Sequence, residues 1–439
     1  MKQSVKAVGL IGLFAVLAIA AAGCGGGGGN EGSSNGGGGG GGNVEALPTS
    51  SCSNIYYEGD GDPDFIVASD LPLQGAGRAQ TTEMVQAIKF ALKQRDFKAG
   101  DHNIGYQSCD DSTAQAGAWD SAKCASNGRA YASNKAVIGV VGTFNSGCAK
   151  IIVPILNRAI PGPVAMVSPA NTSPGLTTDG PGAEPGEPDK YYPTGKRNYA
   201  RVVANDQIQG PADAQFVKDQ GLKKVFILND KQTYGFGVAT TFRGAAEKLG
   251  LTVAGFKGWD AKQSSYEALA NAIKATGADA VFLGGIICNN GAKLIKDLKQ
   301  GVPDATLIAP DGFSDPKSNG TAFDGSYASV AGQPPSGLKG EGKTFVTDFG
   351  KQIGATPNPY SQYGAQAMDV MLDAIEKSDG TRPSVTSSLF GLQVENGIIG
   401  TFTLNDKGDT SLGPITIYQQ KGNSLNPLKT IVPAKNLTT

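Results

Sequence analysis

Hydrophobic and polar positions along the chain form two alternating kinds of segment. Residues 136–141, 224–228 and 280–283 are short apolar runs with almost no polar interruption. Such runs are typical of strands that are buried on both faces of a parallel sheet. Residues 82–94 and 361–376 instead place apolar side chains every three or four positions, as an amphipathic helix does. The alternation predicts repeated strand–helix units.

These units form two successive series, separated by a stretch that has no periodicity. The stretch, residues 174–196, is rich in Pro and Gly and is predicted to be a surface loop or the start of a crossover. Two series predict an α/β protein with two Rossmann-like lobes, each with a parallel sheet. The predicted strands are 64–68, 103–109, 136–141, 164–167, 224–228, 252–256, 280–283, 306–309, 400–404 and 415–418, and the predicted helices are 82–94, 114–133, 150–157, 209–220, 237–249, 266–276, 292–299 and 361–376.

The N-terminal segment has the pattern of an export signal. Lys2 and Lys6 precede an apolar run that ends in small residues directly before Cys24. We therefore expect residues 1–23 to be a lipoprotein signal peptide and Cys24 to become the lipidated N-terminus. Thirteen of the nineteen residues 25–43 are Gly, so residues 24–50 are predicted to form a flexible tether spanning on the order of 25 Å. These features predict a protein that is lipid-anchored on the extracytoplasmic face of the cell membrane.

Charge and composition argue against several classes of function. The formal net charge of −1 and the absence of a dense basic patch do not fit a nucleic-acid-binding protein. The single histidine, His102, leaves no Ser-His-Asp or multi-histidine metal scheme, and no phosphate-binding loop motif is present. We expect a protein that is not an enzyme and that needs no metal and no cofactor.

Five cysteines follow Cys24, and none of them shows a CxxC spacing. In an exported chain, scattered cysteines predict disulfide bonds. Cys109 and Cys148 follow neighbouring predicted strands, whereas Cys52 precedes the first strand and Cys124 lies about 10 residues into the predicted helix 114–133. We therefore predict the disulfides Cys52–Cys124 and Cys109–Cys148, with Cys288 unpaired.

The segments that directly follow the strands are the candidate ligand-binding loops, because ligands of parallel sheets bind at the carboxyl ends of strands. These segments are 71–80, 109–112, 142–148, 168–172, 229–237, 259–264, 284–290 and 310–313. Four sequence phrases are notable: GTFNS at 142–146, SPANT at 168–172, NDKQTYGFG at 229–237, and GTF at 400–402 with KGD at 407–409. In this order and spacing they resemble the leucine/isoleucine/valine-binding protein family, the type I periplasmic binding proteins.

The resemblance covers about residues 64–418 and implies two lobes joined by a three-strand hinge, with the ligand held in the cleft between them. It implies that lobe 1 comprises residues 51–203 and 328–388, that lobe 2 comprises residues 204–327 and 389–430, and that 431–439 form a tail. It also implies a set of ligand contacts. Asn145 and Ser146, with Ala170 and Thr172, would bind the ligand carboxylate, and Tyr234 would cover the ligand from lobe 2.

The chain departs from the family where amino-acid binders have an acidic partner for the ligand's ammonium. Alignment with the family helix places Gln263 at that position. Because a buried ammonium without a carboxylate is costly, either Asp260, Asp311 or Asp70 substitutes, or the ligand is not an α-amino acid.

The resemblance implies a monomeric binding protein that captures a branched-chain or other amino-acid-like solute by hinge closure. Its partners would be that small molecule and the permease and ATPase subunits of an ABC importer. The alternatives are a ligand-sensing receptor module on the same fold, a binder of amide, urea-like or aromatic acid solutes, and an exported hydrolase.

Overall fold

In a computed structural model, the chain is described from residue 44 to residue 438. The predicted signal peptide, Cys24 and most of the tether lie outside the described residues. The elements of the first series are β1 Phe65–Leu71, α1 Arg78–Gln94, β2 Lys98–Ala99, β3 His102–Asp110, β4 Ser112–Thr113, β5 Ala118–Trp119, α2 Ser121–Ser133, β6 Val137–Gly142, α3 Ser146–Asn157, β7 Ala165–Ser168 and β8 Tyr199–Arg201.

The second series follows, and it ends with helices that return to the first. Its elements are α4 Asp206–Asp219, β9 Lys224–Asn229, α5 Thr233–Lys248, β10 Thr252–Gly258, α6 Glu267–Thr276, β11 Ala280–Gly284, α7 Gly291–Gly301, β12 Thr306–Ala309, α8 Pro316–Asn319, β13 Tyr327–Ala331, α9 Glu341–Ile353, α10 Ser361–Glu376, α11 Arg382–Ser388, β14 Gln393–Gly397, β15 Gly400–Thr403, β16 Ile415–Lys421 and β17 Ser424–Ile431.

Each lobe is built on one sheet, as the two series of apolar runs predict. The lobe 1 sheet has the order β2-β3-β1-β6-β7-β8 and is parallel except at its β2 edge. The lobe 2 sheet has the order β10-β9-β11-β12-β13-β16-β17, in which β16 and β17 are antiparallel additions. All six residues of β6 are buried, which explains why its sequence carries no polar side chain.

Helices cover both faces of each sheet and enclose separate apolar layers. In lobe 1, α1 and α10 pack on one face, and α2 and α3 pack on the other. In lobe 2, α6 and α7 cover one face, and α4 and α5 cover the other. The chain crosses between the lobes three times, after β8, after β13 and after β15. The α/β class with two lobes and a three-strand hinge is confirmed.

The lobe boundaries differ from the predicted ones in two places. β13 pairs with β12 and β16, so the chain leaves lobe 2 after Ala331 and not at residue 328. The β14–β15 hairpin, predicted to belong to lobe 2, contacts lobe 1 because the Ile399 amide donates to Gln366 Oε1 of α10 at 3.2 Å. The predicted tail also has structure, since Ile431 ends β17 and the Asn436 carbonyl accepts a hydrogen bond from Lys248 of α5.

The predicted helix 114–133 begins later than its composition indicates. Residues 112–119 form the small β4–β5 hairpin, which turns at Gly117 with a φ of 61°. The helix starts at Ser121, because the Asp120 carboxylate caps it by accepting from the Lys123 amide at 2.9 Å. Cys124 therefore lies in the first turn of α2, at the carboxyl edge of the sheet.

The predicted disulfide pairing is wrong, and this helix start is one of the two reasons. The bonds are Cys52–Cys109 and Cys124–Cys148. Cys124 meets Cys148 because both lie in the first turns of neighbouring helices, α2 and α3. Cys52 meets Cys109 because the segment before β1 runs back along β3, with the Ser53 amide donating to the Ser108 carbonyl at 2.8 Å. Cys288 is the free cysteine among residues 44–438.

Candidate ligand-binding cleft

The carboxyl edges of the two sheets face each other across a cleft that holds a cavity of about 460 Å³ of empty space, open mouth included. Four of the predicted strand-end loops line this cavity. They contribute Pro72, Gln74, Gly77 and Gln80, then Phe144 and Asn145, then Ile286, Ile287 and Cys288, and finally Asp311 and Gly312. Ala118, Trp119 and Asp315 complete the lining.

The two lobes are in contact across the cleft. Gln80 Nε2 of lobe 1 donates to Ser314 Oγ of lobe 2 at 3.2 Å, and Ser318 Oγ of lobe 2 donates to the Ala76 carbonyl at 2.9 Å. Within lobe 2, the loops after β11 and β12 approach closely, since a Cβ on Gly312 would lie 2.1 Å from the Gly285 carbonyl oxygen. Glycine at position 312 therefore permits the backbone contact that brings Asp311 to the cavity.

The start of α3 supplies the polar edge of lobe 1. Asn145 precedes the helix and lines the cavity, and its side chain does not cap the helix. Ser146 is buried beside it, and its hydroxyl accepts a hydrogen bond from the Ser173 amide at 3.3 Å. The first amides of a helix lack intrahelical acceptors and favour an anion. This edge can therefore bind a carboxylate.

The loop after β7 places Ala170 and Thr172 in buried positions next to Ser146. The Ala170 amide already donates to Ser168 Oγ at 3.1 Å, so it has a partner in the protein. The Thr172 hydroxyl is buried, and among the described residues no atom completes a hydrogen bond with it. Because an unpaired buried hydroxyl costs free energy, Thr172 is the stronger candidate of the two for a ligand contact.

Asp311 is the acidic residue at the centre of the lobe 2 side. Its two carboxylate oxygens accept from two tyrosine hydroxyls, Tyr234 at 2.5 Å and Tyr360 at 2.7 Å. Tyr234 belongs to lobe 2, whereas Tyr360 precedes α10 of lobe 1, so the carboxylate connects the lobes. Burial raises the pKa of Asp311, and hydrogen bonds from both tyrosines and from Gln209 oppose that shift.

A group of buried polar atoms extends from Thr172 towards Asp311. Asp206 begins α4, and its amide donates to the Thr172 carbonyl at 2.8 Å. Neither carboxylate oxygen of Asp206, nor Gln209 Oε1, completes a hydrogen bond within the described part of the chain. Burial raises the pKa of Asp206 well above its usual value, and the nearby Asp311 carboxylate adds to that shift. The Thr172 hydroxyl lies near enough to oppose the shift, although it does not complete a hydrogen bond with the carboxylate. Two carboxyl groups thus lie close together with few donors between them.

Gln263 lies outside the cleft, and its predicted role is not supported by its position. It is exposed and lines a separate surface depression with Lys231 and Asp260. Of the three alternatives, Asp260 is in that same depression and Asp70 is buried inside lobe 1, bonded to Tyr131 and Asn127. Asp311 is the one that reaches the cavity. The alignment was made on the helix after β10, whereas Asp311 follows β12.

The sequence reasoning missed the apolar walls of the cavity. Trp119 and Phe144 line it from lobe 1, and Ile286 and Ile287 line it from lobe 2. Three of these four residues fall in loops that were named as candidates, so the strand-end rule was a usable signal. Trp119 was hidden because its segment was predicted to be helical, although it is part of the β4–β5 hairpin.

Among the described residues, no helix is long and apolar enough to span a membrane. The family model described as periplasmic binding protein matches residues 67–424. The leucine-, isoleucine-, valine-, threonine- and alanine-binding protein of Pseudomonas aeruginosa is 26% identical over 258 residues, which are 58% of this chain and 65% of that protein. A Leu/Ile/Val-binding protein homologue of Brucella abortus is 23% identical over 84% of this chain and 93% of its own length.

Solved structures share the fold at low sequence identity. A leucine-binding protein from Thermotoga maritima superposes with a TM-score of 0.73 at 22% identity, covering 84% of this chain and 99% of that one. A solute-binding protein from R. palustris, solved with benzoate, superposes with a TM-score of 0.69 at 17% identity, covering 84% and 97%. The matched family model spans most of the chain, including both lobes and all three crossovers. The chain belongs to the periplasmic binding protein family, whose members are extracytoplasmic binders of small molecules.

Proposed function

We propose that the protein captures an amino acid with an apolar side chain outside the cytoplasm and delivers it to the permease of an ABC importer. The observation that carries the proposal is the pairing, across one cavity, of an anion-binding helix start with a buried carboxylate. Ser146 and the unpaired Thr172 hydroxyl face the carboxylate of the ligand. Asp311 receives its ammonium, and the charges of a zwitterion match the two sides of the cleft.

The second carboxyl group strengthens the case for an ammonium. The Asp311 carboxylate adds to the cost of ionising Asp206, and a cation between the two would offset that cost. Asp206 also has two oxygens without partners among the described residues. We infer that the ligand's ammonium donates to Asp311 and to Asp206.

Closure of the lobes follows from the contacts of Asp311. Tyr360 reaches this carboxylate from lobe 1, while Tyr234 reaches it within lobe 2. A ligand that contacts both lobes stabilises the closed form by its difference in affinity between the two forms. The importer subunits would recognise that form, and the lipid on Cys24 would keep the monomeric protein close to them.

A second ligand class, an aromatic acid, is favoured by a specific observation. Trp119 and Phe144 line the cavity, and aromatic side chains bind a flat ring well. Such a ligand has a carboxylate but no ammonium, so it would use Ser146 and Thr172 without Asp311.

Calorimetry on the wild-type protein and on Asp311→Asn tests the proposal and separates the two classes. The titrants are leucine, isoleucine, valine, the corresponding amides, and benzoate. We expect an amino acid to bind the wild-type protein and to lose at least ten-fold in affinity on Asp311→Asn. Binding of benzoate alone, unchanged by Asp311→Asn, would reject the amino acid and support the aromatic acid.

A further inference from the structure

A compact group of metal-ligating side chains lies within lobe 1, apart from the cleft. Asp70 is the penultimate residue of β1, Asp111 follows β3, and Cys124 and Cys148 lie in the first turns of α2 and α3. All four residues are buried, and one ligating atom from each lies within 4.8 Å of the others. The two sulfur atoms are joined in the disulfide of the oxidised protein.

Asp111 is the feature of this group that the fold does not explain. Its side chain is fully buried, and neither carboxylate oxygen has a hydrogen-bond partner among residues 44–438. Only its backbone is used, as the Asp120 amide donates to the Asp111 carbonyl at 2.8 Å. Carboxylates buried without donors are rare, because the desolvation cost is not offset unless a cation or a proton is near.

Asp70 is oriented for a metal by its neighbours. Its Oδ1 accepts from Asn127 Nδ2 at 2.8 Å and from the Tyr131 hydroxyl at 2.5 Å. Its other oxygen, Oδ2, lies 3.6 Å from Cys148 Sγ. Hydrogen bonds of this kind to the non-ligating oxygen commonly fix the direction of a metal-binding carboxylate.

We propose that the reduced protein binds one Zn²⁺ ion between Asp70, Asp111, Cys124 and Cys148. Zinc takes four ligands in a tetrahedron, with bonds of about 2.3 Å to sulfur and about 2.0–2.2 Å to oxygen. Those bond lengths put neighbouring ligand atoms roughly 3.3–3.8 Å apart, so a spacing within 4.8 Å needs side-chain shifts of about 1 Å. Two thiolates with two carboxylates are ligands that zinc accepts.

The disulfide and the metal exclude each other. A dithiol reductant supplies two electrons to the Cys124–Cys148 bond, becomes a disulfide itself, and leaves two cysteine thiols. Zinc binding then releases one proton from each thiol, because the thiolate is the ligand. Oxidation by a disulfide reverses both steps and expels the ion. In either state α2 and α3 remain linked through Cys124 and Cys148, by the disulfide or by the metal ion.

Cobalt titration of the full chain tests this site, since Co²⁺ replaces zinc and reports thiolate ligands by a charge-transfer absorption band. Cys24, Cys52, Cys109 and Cys288 are replaced by Ser, and the protein is reduced with a phosphine. We expect one Co²⁺ per chain with the thiolate band, and no band when the same protein is oxidised. A matched control keeps Cys52 and Cys109 and replaces Cys24, Cys124, Cys148 and Cys288, and it should show no band.

The role of the unpartnered acid is tested by Asp111→Asn in the first protein. We expect it to weaken Co²⁺ binding at least ten-fold. Asp110→Asn should have a clearly smaller effect, because the Asp110 carboxylate bonds to the Leu73 amide and Gln74 and acts on Asp111 through its charge alone. Equal affinity after Asp111→Asn, or a band in the oxidised protein, would overturn the proposal. Two further outcomes would overturn it. One is a reduced protein that has native circular dichroism and binds no Co²⁺, and the other is a reduced protein that is unfolded and does not refold when Co²⁺ is added.

Discussion

Both lobes bury acidic residues at the carboxyl edge of their sheets, but the number of hydrogen-bond donors to these carboxylates differs. In lobe 2, Asp230 accepts from the Gln232 amide, the Ile286 amide and Asn289, and Asp311 accepts from two tyrosines. In lobe 1, Asp70 has donors on one oxygen and Asp111 has none on either among the described residues. The strand end places an acid inside each lobe, and the number of hydrogen-bond donors around its carboxylate decides how far its pKa is raised by burial.

The largest expected effect concerns the stability of lobe 1 as a function of pH. Burial raises the pKa of Asp70 to about 7, so the folded state holds a proton that the unfolded state releases near pH 4. This acid's contribution is therefore fully present below about pH 4 and is lost as the pH rises to about 7. The loss is on the order of 4 kcal/mol.

Asp70→Asn isolates that contribution, because the amide cannot ionise. The free energy of unfolding from denaturant titrations at several pH values between 4 and 7 gives the difference between wild type and variant. The free energy of unfolding of the variant should rise relative to that of the wild type as the pH rises from 4 to 7. A constant difference across this range would mean that Asp70 is ionised in the folded protein.

The next effect concerns ligand affinity on lobe 2. Asp311→Asn removes the charge proposed to receive the ligand's ammonium. It should weaken the binding of an amino acid by about 3 kcal/mol, roughly 100-fold in affinity. Asp260→Asn is the matched control, since Asp260 lies in the exposed depression outside the cavity. Calorimetry should show that Asp260→Asn binds the amino acid as tightly as the wild type does. Similar losses of affinity in both variants would indicate a long-range electrostatic effect and not a direct contact with Asp311.

A smaller effect separates closure from binding. Tyr360→Phe removes the hydroxyl that connects lobe 1 to Asp311, and we expect a loss of about 1 kcal/mol in affinity. Because this hydroxyl acts across the lobes, the ligand-saturated variant should be more open in small-angle X-ray scattering. Tyr234→Phe, which acts within lobe 2, should weaken binding without that opening. An identical scattering profile for both variants would remove Tyr360 from the closing mechanism.

The smallest effect is the replacement of one hydroxyl in lobe 1. Thr172→Val removes a buried group that has no partner among the described residues, so stability should stay level or rise slightly. Affinity should nevertheless fall about five-fold if the hydroxyl binds the ligand carboxylate. Thr177→Val is the contrast, because Thr177 Oγ1 bonds to Asp409 and Arg201 and its loss should lower the melting temperature.

Much of the fold could be predicted because it rests on patterns of several residues. The apolar runs of β6, β9 and β11 are typical of strands buried on both faces of a parallel sheet. Their order along the chain indicated two lobes. The β4–β5 hairpin could not be predicted, because two-residue strands carry no periodicity and Asp120 fixes the helix start by a single bond. That one error displaced Cys124 and, with the unseen path of Cys52 along β3, reversed the disulfide pairing.

The candidate site was predictable as a set of loops and much less as a set of contacts. Asn145 lines the cavity, whereas Ser146, Ala170, Thr172 and Tyr234 are buried and do not belong to its lining. Tyr234 is linked to the cavity through its hydrogen bond to Asp311. Asp311 was only one alternative among three, because nothing in its own neighbourhood marks it. Its hydrogen bond from Tyr360 forms only after the chain has crossed back to lobe 1.

The segment that precedes β1 has a mechanical consequence. The Cys52–Cys109 bond and the hydrogen bond from the Leu47 amide to Gln107 attach this segment to β3. A force applied through the chain before residue 44 would therefore enter the molecule through lobe 1 and bypass the crossovers. Under the proposed lipid attachment at Cys24, lobe 1 alone would be held, and lobe 2 would swing open and closed without working against tension at the membrane.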